Sequence, residues 1–207
     1  MSSLVDVSRA PGVGAPTLRP GLRVARPGRV PCDTVRNPTL TTLVIDVRGL
    51  APLTSATPDQ AAATIHDVFA RLGTAIEAEH GTVNGVLGNC LLAVFAEEDT
   101  DTDHPSAAAR AALEIRALFE SGRGPREFRA GLGLNTGTVV AGRVGPSDTV
   151  VGHAVAVASR LGACAEAGQI LVGAGAAALL PVEFDVRDRG TVDLAGVGLT
   201  AVFELVR

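Results

Sequence analysis

The sequence predicts an α+β fold, an α/β sandwich in which helices pack on one sheet. Three observations carry that expectation. Short β-branched apolar runs alternate with longer stretches whose apolar residues recur at helical spacing. A capping box marks a helix start at Thr57. A Gly-Asn pair, Gly88-Asn89, joins two strand-length runs as a tight hairpin.

Each element follows in order. Thr41 to Val47 (TTLVIDV) is β-branched and apolar, a buried strand. Thr57-Pro58-Asp59-Gln60 supplies the N-cap, a proline at the first helical position, an acid and the glutamine that closes the box. Ala61, Ile65, Val68, Phe69, Leu72 and Ile76 then form one stripe, and the helix is expected to reach Gly81. Thr82 to Leu87 and Cys90 to Phe95 are the hairpin strands. Glu97 to Asp103 is an acidic loop without the glycine or spacing of a calcium loop, so it reads as solvated. Pro105 opens a second helix with Ala108, Ala111, Ala112, Ile115, Leu118 and Phe119 inward. Phe128 to Leu134 and Thr138 to Val144 are expected as strands either side of a turn at Asn135-Thr136-Gly137. His153 to about Ala167 is a third helix, Gln169 to Val172 a strand, and Ala174 to Leu180 a short helix. A three-strand β-meander closes the chain: Glu183 to Val186, Thr191 to Leu194 and Thr200 to Val206. No internal repeat is found.

Composition bounds the function. The 207 residues suffice for one domain and an extension, and 46% hydrophobic with 19% charged residues reads as globular. Residues 1–37 hold five prolines and six arginines against two acids, a net +4, whereas 38–207 carry −8. The first segment is expected to be a disordered tail, able to lie across its own acidic domain or reach an acidic partner. An arginine-rich, acid-poor leader also fits a transit peptide, and the lack of a hydrophobic signal core argues against secretion. No apolar run approaches the roughly 18 residues of a membrane span. All 18 basic residues are arginine, so no mechanism here can use a lysine. Tyrosine and tryptophan are absent, which disfavours base-stacking nucleic-acid modules. Three cysteines, Cys32, Cys90 and Cys164, are odd in number and far apart, which fits a reducing, cytoplasmic setting rather than a disulfide or zinc framework. Cys90 and Cys164 read as small core residues. His66, His80 and His104 lack metal-ligand spacing and read as solvated.

Four motifs carry the chemistry: VIDVRGL, HGTVNGVLGNCLLAVF, GLNTGTVVAGRVG and TVVGHAVAVASRL, with LAGVGLTAVFEL closing the chain. Together, from about Thr41 to the C-terminus, they resemble the catalytic domain of class III nucleotide cyclases. In the fourth motif Thr149, Val150, Gly152, Val155, Ala158, Ser159, Arg160 and Leu161 all fit the family's T-V-x-G-x-x-V-N-x-A-[AS]-R-L. The resemblance implies a ferredoxin-like βαββαβ core followed by the β-meander, and a head-to-tail dimer with active sites between two chains. It implies conversion of ATP or GTP into a cyclic nucleotide: the ribose 3′-OH attacks the α-phosphorus and pyrophosphate leaves, with two metal ions assisting.

The same resemblance assigns the site residues and exposes losses. Asp46 matches the first metal aspartate, but Asn89 stands where the second should be, so Mg or Mn could be held only weakly. Val47 and Gly49 belong to the phosphate-cradling backbone after Asp46. Leu50 and Ala51 follow, and the family's hydroxyl is missing there. Gly85 replaces the base-reading lysine, while Thr149 matches its partner. The transition-state pair lies four residues apart on the third helix, with Arg160 kept and the asparagine replaced by Ala156. Ala195 replaces a phosphate-binding lysine. A strand arginine falls at Gly131, with Arg129 two residues away as a substitute.

Plainer roles remain open. Asp46 could cap a turn, Asn89 could serve only its hairpin, Arg160 could be a surface ion-pair residue, and His153 a helix N-cap. Removing one preorganised donor typically costs ~10²–10³ in rate. Three readings follow: a nucleotide-binding or regulatory pseudocyclase, a residually active cyclase or half of an active heterodimer, or a dimerising scaffold. A purine nucleoside triphosphate and a second cyclase-type chain, identical or not, are the expected partners; nucleic acid and membrane are not.

Overall fold

The computed structural model describes residues 36–49, 57–96, 103–120, 128–144 and 147–207. The tail at 1–35, Leu50, Ala51 and the acidic loop from Glu97 lie outside the described residues. The elements run β1 (Thr39–Arg48), α1 (Pro58–Ala78), β2 (Thr82–Leu87), β3 (Cys90–Phe95), α2 (His104–Glu120), β4 (Arg129–Thr138), β5 (Val140–Val144), β6 (Ser147–Val151), α3 (His153–Cys164), β7 (Ile170–Gly173), α4 (Ala174–Ala177), β8 (Val186–Leu194) and β9 (Gly198–Leu205). Seven strands form one mixed sheet in the order β2-β3-β1-β4-β7-β9-β8, and β5 with β6 forms a separate ribbon. The first four strands with α1 and α2 are the expected βαββαβ core, with β1 antiparallel to both β3 and β4.

Local chemistry sets the elements. Thr57 accepts from the Gln60 amide while the Gln60 side chain accepts from the Thr57 amide, so the predicted capping box is formed. Gly88 has φ +61°, and Asn89 is not among the positive-φ residues. That is the sign pattern of a tight II′ hairpin turn. Period-two alternation divides the β1 side chains between two faces. Leu43, Ile45 and Val47 face α1 and α2, burying Val68, Phe69, Leu72, Ile76, Ala108, Ala112 and Ile115 in the main core. Val44 and Asp46 belong to the opposite face, where α3 packs. There Gly133 and Gly162 meet backbone to backbone: a Cβ on Gly133 would stand 2.1 Å from the Ala158 carbonyl oxygen and 2.3 Å from the Gly162 nitrogen.

Several expectations need correction. β4 runs straight through Asn135-Thr136-Gly137, because those residues pair with Thr42, Thr41 and Leu40 of β1; the break falls at Val139 instead. Its continuation, β5, leaves the main sheet to pair with β6, a strand the sequence reading missed. The closing three-strand meander is a two-strand hairpin. The polar, glycine-containing gap after Val186 is a bulge between Asp188 and Thr191 in one strand, with Gly190 at φ +81°. β2 is also bulged, between Val83 and Gly85. α1 ends at Ala78 and α3 at Cys164, each a few residues earlier than expected. His104 is not simply solvated: its Nδ1 lies 2.8 Å from Thr41 Oγ1, which lies 2.7 Å from Thr136 Oγ1 at the buried end of β1. Cys164 is exposed on α3 and Cys90 half-buried, so neither is a core residue.

Candidate functional site

The sheet face carrying α3 gathers the motif residues. Asp46, near the end of β1, is flanked across the ladder by Cys90 and Gly131. Its side chain is only 15% exposed, so its partners matter. Asn89 Nδ2 donates to Asp46 Oδ1 and also to the Val47 carbonyl at 3.1 Å. The Val47 amide in turn donates to the Asn89 carbonyl at 2.9 Å. Arg48 Nε reaches Asp46 Oδ2 at 3.3 Å, and Arg48 Nη2 donates to the Ala163 carbonyl at 3.1 Å. The last carbonyls of a helix attract a cation, so the guanidinium is held from two sides. The Cys90 thiol lies 3.7 Å from Asp46 Oδ1. Burial chiefly, then the Asp46 charge and this hydrogen bond, push the Cys90 thiol above its ordinary pKa.

Sequence reasoning missed two of these four residues, Arg48 and Cys90. It offered Arg129 as the cation replacing the strand arginine, yet Arg48 occupies that place. A Cβ on Gly131 would lie 3.1 Å from Arg48 Nη2, and 2.7 and 2.8 Å from the Gly162 and Ala165 carbonyl oxygens. Arg129 instead is exposed and donates to its neighbour's carbonyl, Phe128, at 2.8 Å. An i+2 spacing from Asp46 on β1 was the available signal for Arg48.

The remaining motif residues are dispersed over several elements. Gly49 follows β1 with φ +91°, a left-handed turn that suits glycine. Gly85 lies on the edge strand, where an added Cβ meets nothing within 4 Å. Thr149 is half-buried on β6, opposite Gly142. Ala156 and Arg160 are both exposed on α3, one turn apart, and no ion pair joins Arg160 to another described residue. Gly152 is the N-cap of α3, and His153 is exposed in its first turn. Ala195 sits exposed in the β8–β9 turn, closed by the Val197 amide on the Leu194 carbonyl at 2.8 Å. A groove between α1 and α2, lined by Arg71, Thr74, Glu79, Arg110 and Leu113, carries none of these residues.

The donor set does not fit a divalent cation. Among the described residues no three His, Cys, Asp or Glu side chains converge as metal ligands. Asp46 Oδ1 and the Val47 carbonyl oxygen both accept from the same amide NH₂, that of Asn89.

A ferredoxin-like core with a carboxylate ending its first strand, and an arginine-bearing helix across the same face, defines a nucleotide-cyclase type of domain. The chain matches the model of the adenylate and guanylate cyclase catalytic domain over residues 33–206, and it belongs to that family. It is 31% identical over 132 residues to an adenylate cyclase of Anabaena cylindrica, covering 59% of this chain and 26% of that protein. It is 32% identical over 114 residues to adenylate cyclase 1 of Rhizobium meliloti, covering 50% of this chain and 17% of that protein. The chain thus spans about a quarter or less of these relatives. Among solved structures, the adenylyl cyclase CyaB of P. aeruginosa superposes with TM-score 0.76 at 21% identity, over 84% of this chain and 96% of that one. A guanylate cyclase domain of Catenaria anguillulae, in complex with GTP, superposes with TM-score 0.74 at 20% identity, over 82% and 96%. These likenesses establish the fold. No helix among the described residues is long and apolar enough to cross a membrane.

Proposed function

We propose that this chain is a degenerate cyclase domain, 38–207 with 1–37 as its tail, that binds a purine nucleoside triphosphate and regulates a cyclase-type partner in the cytosol. One observation carries the reading: both oxygens of the Asp46 carboxylate are engaged within the chain, by Asn89 and by Arg48. The exposed methyl of Ala156 supports it, since no hydrogen bond to a transition state can come from that position. Losses at Gly85, Asn89, Ala156, Ala195 and Gly131 act together, and each alone removes a preorganised contact worth ~10²–10³ in rate. Thr149, Gly49 and the exposed Arg160 keep contacts to base and phosphate. No part of this reading needs a divalent metal. The pairing with a second chain follows from sites that the family builds between two chains.

A thermal-shift panel with ATP and GTP, alongside an assay for cyclic nucleotide, tests it. Nucleotide at 100 times its dissociation constant should stabilise by about 2.7 kcal/mol, which is a rise of roughly 5–10 °C for a domain of this size. The homodimer should form little or no cyclic AMP or cyclic GMP. Turnover at roughly 1 s⁻¹ or above, an ordinary enzyme rate, would sink the degenerate reading. A second reading is one half of an active heterodimer, in which the Asp46 half would serve only once Asn89 and Arg48 released its carboxylate.

A further inference from the structure

We propose that the Asn89 side-chain amide occupies the position a divalent cation would need, so that this half-site is closed to Mg and Mn and takes a nucleoside triphosphate in its metal-free form. The second clause rests on the nucleotide-binding reading above; the first does not.

Hard cations seek converging oxygens, and Mg demands about 2.0–2.1 Å contacts in octahedral geometry. The converging oxygens here are Asp46 Oδ1 and the Val47 carbonyl. Asn89 Nδ2 lies between them as donor to both, at 3.1 Å from the carbonyl. An amide has two donor hydrogens, and both are used. The orientation is chemically forced, because an amide oxygen turned to this place would face two acceptors. The backbone holds the group there: the Val47 amide donates to the Asn89 carbonyl at 2.9 Å, and Gly88 sets the turn. The other carboxylate oxygen is met by Arg48 at 3.3 Å, itself tied to the Ala163 carbonyl at 3.1 Å. Asp46 and Arg48 together carry no net charge. An entering cation would have to displace the amide from two oxygens, gain a single carboxylate, and stand beside a guanidinium. Each of those opposes binding. The neutral amide does the structural part of a cation's work by bridging the end of β1 to the hairpin turn.

The substitution Asn89→Asp inverts the balance. It removes both donor bonds and sets two carboxylates and a carbonyl facing one another, an arrangement that a divalent ion would stabilise. The test uses the full chain and Mn as probe. Mn binding is read by the electron paramagnetic resonance of the free ion, and thermal stability is read with a chelator or with added Mn or Mg. The wild type should bind no Mn, and its melting temperature should be the same in both conditions. N89D should melt roughly 5–10 °C lower in chelator, regain most of that with Mn, and remove free Mn from solution. A wild type that binds Mn stoichiometrically, or a folded N89D indifferent to it, overturns the proposal. If N89D fails to fold, the wild-type Mn titration decides alone. In the nucleotide arm, ATP or GTP should shift the wild type equally with and without Mg; a shift that requires Mg overturns the metal-free clause. No shift in either condition refutes the nucleotide reading, while the Mn titration still judges the closed site.

Discussion

Gly133→Ala tests how closely α3 is tied to the sheet. The new Cβ would stand 2.1 Å from the Ala158 carbonyl oxygen and 2.3 Å from the Gly162 nitrogen. Comfortable contacts between such atoms are about 3.5 Å. The offending atoms belong to helix backbone, so no side chain can swing aside, and α3 must lift by roughly 1 Å. Overpacking of this kind costs about 1–3 kcal/mol. Reduced freedom of the unfolded chain returns about 0.4–1 kcal/mol of that. The net loss is then about 1.3 kcal/mol, or roughly 3–5 °C in melting temperature for a chain of this length. Gly85→Ala is the control, because its Cβ meets nothing within 4 Å. Differential scanning calorimetry on both variants measures the difference. If G133A melts within about 1 °C of wild type, a shift too small for an overpacked core, the backbone contact between β4 and α3 is wrong.

Three further outcomes are expected. Thr41→Val removes the hydroxyl joining His104 to Thr136, and leaving the buried Thr136 hydroxyl short of a partner should cost about 1–3 kcal/mol by urea unfolding; no change would mean the three groups do not form one network. At neutral pH an alkylating reagent should modify exposed Cys164 before Cys90, since the raised pKa of Cys90 keeps it a protonated thiol until the solution is more alkaline than an ordinary cysteine needs; peptide mapping that finds Cys90 modified before Cys164 would contradict this. Paired with a cyclase chain stripped of its own metal aspartates, Asn89→Asp should raise activity and Ala156→Asn should not; the reverse pattern would show that the two half-sites are wrongly assigned.

The core was legible where local chemistry is decisive. The capping box at Thr57, the Gly88-Asn89 turn and the buried, β-branched strand β1 each follow from short-range rules, and all three stand in the structure. What escaped the sequence was set by partners distant in the chain. Asn135-Thr136-Gly137 looks like a turn until β1 supplies its hydrogen bonds. The Arg189-Gly190 interruption resembles a strand end but is a bulge. At the site, motif comparison located Asp46 and Asn89 and showed a missing charge. It could not show that Asn89 turns inward, or that Arg48 closes over Gly131, because both depend on how β1, the hairpin and α3 come together in space.

Among the described residues the seven-stranded sheet is open, and it ends in two edge strands without a further partner, β2 and β8. Such edges invite strand addition by other chains and, from there, uncontrolled polymerisation. Both edges here are interrupted: β2 shifts register between Val83 and Gly85, and β8 between Asp188 and Thr191. The β8 edge also carries Arg187, Asp188, Arg189 and Asp193 in exposed positions. A bulged, charged edge offers no long straight ladder to copy. Association by extending the sheet is thereby discouraged at both ends. Neither edge of the sheet therefore presents a template for aggregation.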